Sequence, residues 1–401
     1  MRKFICIFLI ILMLCFCVLP ITYCSSDDYI WAQDSSTTVS TTPTTDLNLE
    51  SESAILIEQN SGKILYEHNS HEQLRPASVT KIMTILLIME ALDSGRISLT
   101  DKIPCSENAA SMGGSQIWLD VREELTVDEM LKAICVASAN DCTVAMAEYL
   151  EGSTTAFVQK MNEKASALGM KDTCFKNCHG LDEDGHVTSS YDIALMSREL
   201  LTKHSSITKY TTIWMDSLRD GKYQLVNTNK LIRNYKGATG LKTGSTSLAL
   251  YNLSASATRD NLSLIAVVLK AATPAIRFSE ASKLLDYGFS NYSYKEFAKS
   301  GEILKAIKVN KGVSSTVNVI YEQDSGTLLK KGEEKNVEEV LTISDNISAP
   351  VYKGQKLGEI SYVINGETVG TTNLVAENDV KKFGIGSRTE RLLSSWFKLL
   401  R

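Results

Sequence analysis

From Lys81 to Met89 the chain reads Lys-Ile-Met-Thr-Ile-Leu-Leu-Ile-Met, apolar on nearly every side of a helix. A helix without a polar face has no side to give to water, so it must lie inside the molecule with other elements around it. Pro76 and Ala77, just ahead, suit a helix start. The fold is therefore built around this segment, and its few polar groups enter the core with it. Two of them, Ser78 and Lys81, stand three residues apart and share one face. A lysine stripped of water holds its proton less tightly. A neutral amine beside a hydroxyl is a general base beside a nucleophile. The alternative for the pair is a capping serine and a lysine that reaches the surface.

Ser-x-x-Lys alone decides little, since it recurs at Ser206-Ile207-Thr208-Lys209 and at Ser395-Trp396-Phe397-Lys398. Two further segments give the first copy its weight. Ser138-Ala139-Asn140 follows a helical apolar run, 130–137, whose start carries Thr126 with Glu129 three residues on, a capping-box pair. A turn there offers the Ser138 hydroxyl for proton relay and the Asn140 amide for a substrate carbonyl. A plain polar loop is the alternative. Lys242-Thr243-Gly244 opens a strand beside a hairpin pattern, with runs 252–258 and 262–269 on either side of Arg259-Asp260-Asn261. An edge strand takes up an extended peptide through its backbone. Lys242 and Thr243 suit a carboxylate, and Gly244 lets a substrate approach closely. The backbone N–H groups of Ser245 and Ser78 are candidates for an oxyanion hole. Ser344-Asp345-Asn346 comes after this third motif and reads as a turn.

Taken in order, the three motifs resemble the set shared by penicillin-binding proteins and class A β-lactamases. From about Ala54 to the C-terminus the chain resembles a low-molecular-mass penicillin-binding protein of the penicillin-binding protein 5 kind, a serine D-alanyl-D-alanine carboxypeptidase. Gly113-Gly114-Ser115-Gln116-Ile117-Trp118-Leu119, Asn177-Cys178-His179-Gly180-Leu181 and Thr188-Ser189-Ser190-Tyr191-Asp192-Ile193-Ala194 are similar to further family segments. Cys178 stands where proline is usual, and Ala139 fills the middle of the second motif. The resemblance implies Ser78 as nucleophile, Lys81 as base, and Ser138 as the group that passes the proton to the leaving D-alanine. It implies substrate binding by Asn140, Lys242, Thr243, Gly244 and Ser245. The implied substrate is a peptidoglycan stem peptide, with β-lactam antibiotics as acylating mimics and no cofactor. The rivals are a β-lactamase, a D,D-endopeptidase and a non-catalytic peptidoglycan-binding protein. No Glu-x-x-Leu-Asn segment of the β-lactamase kind lies between Ser138 and Lys242.

The element pattern agrees with the motifs. A hairpin at 54–66, helical patterns over 78–202 and strands from about 222 predict an α/β fold, one antiparallel sheet covered by helices. By resemblance this is the β-lactamase/transpeptidase-like fold. Its predicted span is 51–292, followed by a small β-sandwich over 293–378. Ahead of it, Arg2 and Lys3 precede the apolar run 4–19, which reads as a signal peptide over 1–24, with an uncleaved anchor or a lipid at Cys24 as alternatives. A Ser/Thr-rich linker fills 25–50. An amphipathic membrane-anchor segment is expected over 379–401, with Leu392, Leu393, Trp396, Phe397 and Leu400 on one helical face. Together these place the protein on the extracytoplasmic side of a bacterial membrane.

A formal net charge of −5 over 401 residues argues against general nucleic-acid binding. The five histidines have no metal-ligand spacing, so no metal is expected. Five of the nine cysteines lie beyond the signal: Cys105, Cys135, Cys142, Cys174 and Cys178. That odd count leaves at least one thiol free or paired with another chain. A Cys174–Cys178 bridge stays open.

Overall fold

The computed structural model describes residues 46–344 and 347–384. The expected signal peptide, most of the linker, Asp345-Asn346 and the tail helix from Arg388 lie outside the described residues. The chain opens with strands β1 (Ser53–Glu58) and β2 (Ile64–His68) and then helix α1 (Lys81–Asp93). A short ribbon, β3 (Lys102–Pro104) with β4 (Glu124–Thr126), interrupts the helical block. Helices α2 (Val127–Lys132), α3 (Asn140–Glu151), α4 (Thr154–Ala167) and α5 (Ser190–Lys203) follow. Thr126 caps α2 and forms with Glu129 the capping box that their spacing predicts. Strands return as β5 (Met215–Leu218), β6 (Tyr223–Val226), β7 (Ala238–Thr246), β8 (Leu250–Arg259) and β9 (Leu262–Ala271), closed by α6 (Pro274–Asn291).

The central sheet has the order β2-β1-β9-β8-β7, with every neighbouring pair antiparallel. Successive strand residues point to opposite faces. Ile55, Ile57, Ile265, Val267 and Leu269 join the core beneath α1 and α5. The alternate residues Ala54, Leu56, Leu264, Ala266 and Val268 join a second core with Ala281, Leu284 and Leu285 of α6. With both faces covered, β1 and β9 read in sequence as continuous apolar runs. In α1, nine of thirteen residues are buried, Lys81 among them. β7 closes one end of the sheet, so its outer edge is unpaired within it.

Strand β10 (Tyr292–Ala298) leaves α6 without an intervening loop. It pairs with β13 (Ser325–Lys330), after β11 (Ile303–Asn310) and β12 (Thr316–Tyr321). The remaining strands are β14 (Glu338–Ile343), β15 (Ile347–Ser348), β16 (Lys356–Ile364) and β17 (Glu367–Ala376). These four join β11 and β12 in a six-stranded sheet of order β14-β16-β17-β12-β11-β15. Phe297 of the ribbon stacks on Tyr362 of that sheet with ring centroids 4.0 Å apart. Residues 379–384 are not helical: Val380 bridges to Val351 and Lys382 to Gly312, so this stretch completes the β domain. The anchor helix expected over 379–401 therefore does not include 379–384, because the backbone of 380–382 is taken up by sheet-like pairing. Cys105, Cys135, Cys142, Cys174 and Cys178 are all free thiols, and all but Cys174 are buried. The Cys174–Cys178 bridge left open above is absent.

Candidate active site

Ser78 lies in a single 3-10 turn, Ala77–Thr80, that runs directly into α1. The helix thus starts one turn later than the sequence pattern suggests. Two glycines press on this turn. A Cβ at Gly180 would sit 1.9 Å from the Ala77 carbonyl oxygen, and one at Gly244 would sit 2.8 Å from the Ser78 nitrogen. The glycine of the third motif is thus needed by the fold itself, to seat β7 against the turn that carries Ser78.

Lys81 is fully buried. Its Nζ lies 2.6 Å from Asn140 Oδ1, 2.6 Å from the His179 carbonyl oxygen and 3.0 Å from Ser78 Oγ. Burial, and then the nearby Lys242 charge, lower its pKa well below that of an ordinary lysine. A neutral amine has two N–H bonds and one lone pair. The two carbonyl oxygens accept the N–H bonds, which leaves the lone pair for the Ser78 hydroxyl proton. Asn140 is fixed in turn: its Nδ2 donates to the Gly113 carbonyl at 2.7 Å and its backbone N–H to that of Ser115 at 2.7 Å.

Ser138 follows a π-helical turn, Ala133–Ala137, and adopts the left-handed conformation at φ 63°. Its Oγ is buried and has no hydrogen-bond partner. Lys242 is buried on β7 and donates to the Thr243 carbonyl at 2.8 Å. Burial pushes its pKa down to about 7; Arg277 adds to the fall and Cys135 opposes it. Thr243 Oγ1 donates to Thr228 Oγ1 at 2.7 Å. Ser245, the next residue but one, is exposed at the open edge.

Hydrogen bonds and packing therefore join Ser78, Lys81, Asn140 and Gly244 directly. Ser138 lies two residues from Asn140, and Lys242, Thr243 and Ser245 flank Gly244 on the same strand. Of the other two Ser-x-x-Lys copies, only Ser206–Lys209 lies among the described residues. Lys209 is paired with Asp128 at 2.9 Å, and Ser395 lies outside the described residues.

Two groups escaped the sequence analysis. One is the His179 carbonyl, a backbone atom that side-chain motifs do not report. The His179 ring itself accepts the Leu181 N–H, and burial followed by the Lys81 charge lowers its pKa to about 3. The other is Arg277 on α6. It is buried and donates from Nη1 to the carbonyls of Gly244 and Asn252, 3.2 Å each, while its Nε is unpartnered. It belongs to no motif, and only its buried charge against β7 marks it.

Among the described residues no group of His, Cys, Asp or Glu side chains is arranged to hold a metal ion. Nor is any helix among them long and apolar enough to cross a membrane.

Residues 37–273 match the family model of D-alanyl-D-alanine carboxypeptidase, and residues 292–382 match that of the penicillin-binding protein 5 C-terminal domain. The chain belongs to the D-alanyl-D-alanine carboxypeptidase family. Within the family it is 48% identical to the D-alanyl-D-alanine carboxypeptidase DacF of Bacillus subtilis, over 88% of this chain and 92% of that protein. It is 33% identical to DacA of Escherichia coli, over 83% and 84% of the two chains. Penicillin-binding protein 5 of Haemophilus influenzae superposes with a TM-score of 0.69 at 31% identity, covering 84% of this chain and all of that one. An ampicillin-bound penicillin-binding protein D2 of Listeria monocytogenes matches at TM-score 0.56 and 30% identity, over 61% of this chain and 99% of its own.

Proposed function

We propose that this family member removes the terminal D-alanine from pentapeptide stems of peptidoglycan through an acyl-enzyme on Ser78. The neutral Lys81 amine takes the Ser78 proton as Oγ attacks the carbonyl carbon of the penultimate D-alanine. The N–H groups of Ser78 and Ser245 receive the developing oxyanion. The C–N bond then breaks, and Ser138 relays the proton taken up by Lys81 to the leaving amine. Asn140 holds the stem-peptide amide, and Lys242 with Thr243 binds the terminal carboxylate; the Arg277 charge supports that end of the site. Water hydrolyses the ester and restores Ser78. β-Lactams would enter the same path and stop at the ester.

The observation that carries this reading is the three-way anchoring of Lys81, which aims an amine lone pair at a serine hydroxyl. The test is D-alanine release from a muropeptide pentapeptide by protein lacking residues 1–46. Stoichiometric release by the wild type and none by Ser78→Ala supports it. Well-folded protein that binds penicillin covalently yet acts only on cross-linked peptides would make it an endopeptidase instead.

The same reading places the enzyme on the extracytoplasmic face of the membrane, exported by residues 1–24 and held by the helical tail. Deletion of residues 388–401 should move the protein from the membrane to the soluble fraction. Undiminished sedimentation with membranes would refute tail anchoring.

A further inference from the structure

Trp118 is 67% exposed, yet its backbone is held from both sides. It adopts φ 59°, a left-handed conformation that costs a bulky residue energy. The peptide units on both sides are clamped. The fully buried Asp141 carboxylate accepts the N–H groups of Ile117 and Leu119 at 3.0 and 3.1 Å. Arg219 donates to the carbonyls of Ile117 and Trp118 at 2.9 and 3.0 Å, and is itself held by both Glu123 oxygens at 2.6 and 2.9 Å. A strained residue that its surroundings over-determine is typical of a built functional position. An exposed indole adds nothing to the core, so the clamp serves what the indole meets outside.

We propose that Trp118 is a stacking platform for a sugar ring, and that it receives the saccharide end of the substrate while the stem peptide reaches Ser78. This rests on the carboxypeptidase reading above. The reach agrees. Ser115 is bonded to Asn140, and three residues of chain carry Trp118 at most about 10 Å further out. The four stem residues between a scissile bond and the sugar span about 14 Å when extended. The chemistry agrees as well. A pyranose has a C–H face and a hydroxyl rim, which suits a flat indole with polar residues, Gln116 and Asp120, two positions away in the chain on either side.

The test compares two soluble substrates, the free pentapeptide and the disaccharide pentapeptide, with Trp118→Ala, Trp118→Phe and wild-type protein. Trp118→Ala should lower kcat/KM for the disaccharide substrate roughly three- to tenfold, the scale of one aromatic contact. It should leave the free peptide and the rate of penicillin acylation unchanged, and Trp118→Phe should recover part of the loss. Calorimetric binding of the disaccharide pentapeptide to Ser78→Ala protein reads the same contact without chemistry. Weakening there by Trp118→Ala would uphold the inference even if the wild type released no D-alanine and the carboxypeptidase reading failed. Equal losses on both substrates, no loss on either, or a loss confined to binding of anionic lipid vesicles would overturn it.

Discussion

Ser138 has a buried hydroxyl with no protein partner and a left-handed backbone. Neither feature helps the fold, and both suit a group held ready to relay a proton. Ser138→Gly removes no hydrogen bond and relieves the positive φ. It should raise stability by about 1 kcal/mol in urea titrations, while D-alanine release falls by roughly 10²- to 10⁴-fold. A variant that is less stable or fully active would remove Ser138 from the mechanism. The two lysines set the pH response in opposite senses. In the proposed mechanism Lys81 works neutral, so activity should fall as acidity protonates it. In the same mechanism Lys242 works charged, and burial lowers its pKa to about 7, so kcat/KM should decline above that value. Lys242→Met should abolish the alkaline decline along with most activity. Its effect on stability also has a defined sign. The folded pKa of Lys242 lies below its ordinary 10.5, so the unfolded chain binds the extra proton between about 7 and 10.5. The cost of burying this amine is therefore least at high pH, grows as pH falls through that window and is complete below 7. Near neutrality Lys242→Met should unfold at a higher urea concentration than the wild type. The Ser78–Lys81 pairing was legible because a helical spacing and an apolar context imply it. The His179 carbonyl and Arg277 were not, since a backbone oxygen has no residue type and a lone arginine has no spacing.

At the scale of elements, the site depends on how tightly one 3-10 turn is gripped. Gly180 has φ 94°, and an added Cβ would collide with the Ala77 carbonyl. Gly180→Ala should therefore displace Ser78 and slow penicillin acylation on the order of a hundredfold, the usual scale for an ångström of misplacement. Gly95→Ala is the control. That glycine also has positive φ but no atom near its missing Cβ, so the change should cost about 1 kcal/mol and leave acylation alone. Equal acylation rates in the two variants would show that the grip does not matter. The opening hairpin, α1 and the α2 capping box could be read from apolar runs on either side of Asn60-Ser61-Gly62-Lys63, an unbroken apolar face and a Thr/Glu spacing. The π turn before Ser138 could not, because residues 133–137 have the same apolar pattern whether they wind as α or π. The β3–β4 ribbon was missed because strands of three residues are too short to show a period.

Across the whole molecule, the β domain also forms part of the catalytic domain's core. Tyr292 and Leu328, from β10 and β13, are buried in the cluster beneath α6. Protein ending at Asn291 keeps every candidate site residue and should still be acylated by penicillin. It should unfold at lower urea, since each buried apolar side chain is worth about 1.5–3 kcal/mol. Unchanged stability would mean that the two parts are energetically independent. The change of pattern near residue 292 marked this boundary in the sequence, but the contact across it had no local signature. The cysteines also have a practical consequence. Burial pushes the Cys105 thiol up to about 11 and those of Cys135 and Cys178 up to about 12, and Cys142 is also raised. Among the described residues that leaves Cys174 as the accessible thiol. In protein lacking residues 1–46, a maleimide dye should attach there and a fluorescent penicillin at Ser78, each ignoring the other's target. The enzyme thus comes with two orthogonal attachment points, and energy transfer between them would report each arrival at the nucleophile without any engineered residue.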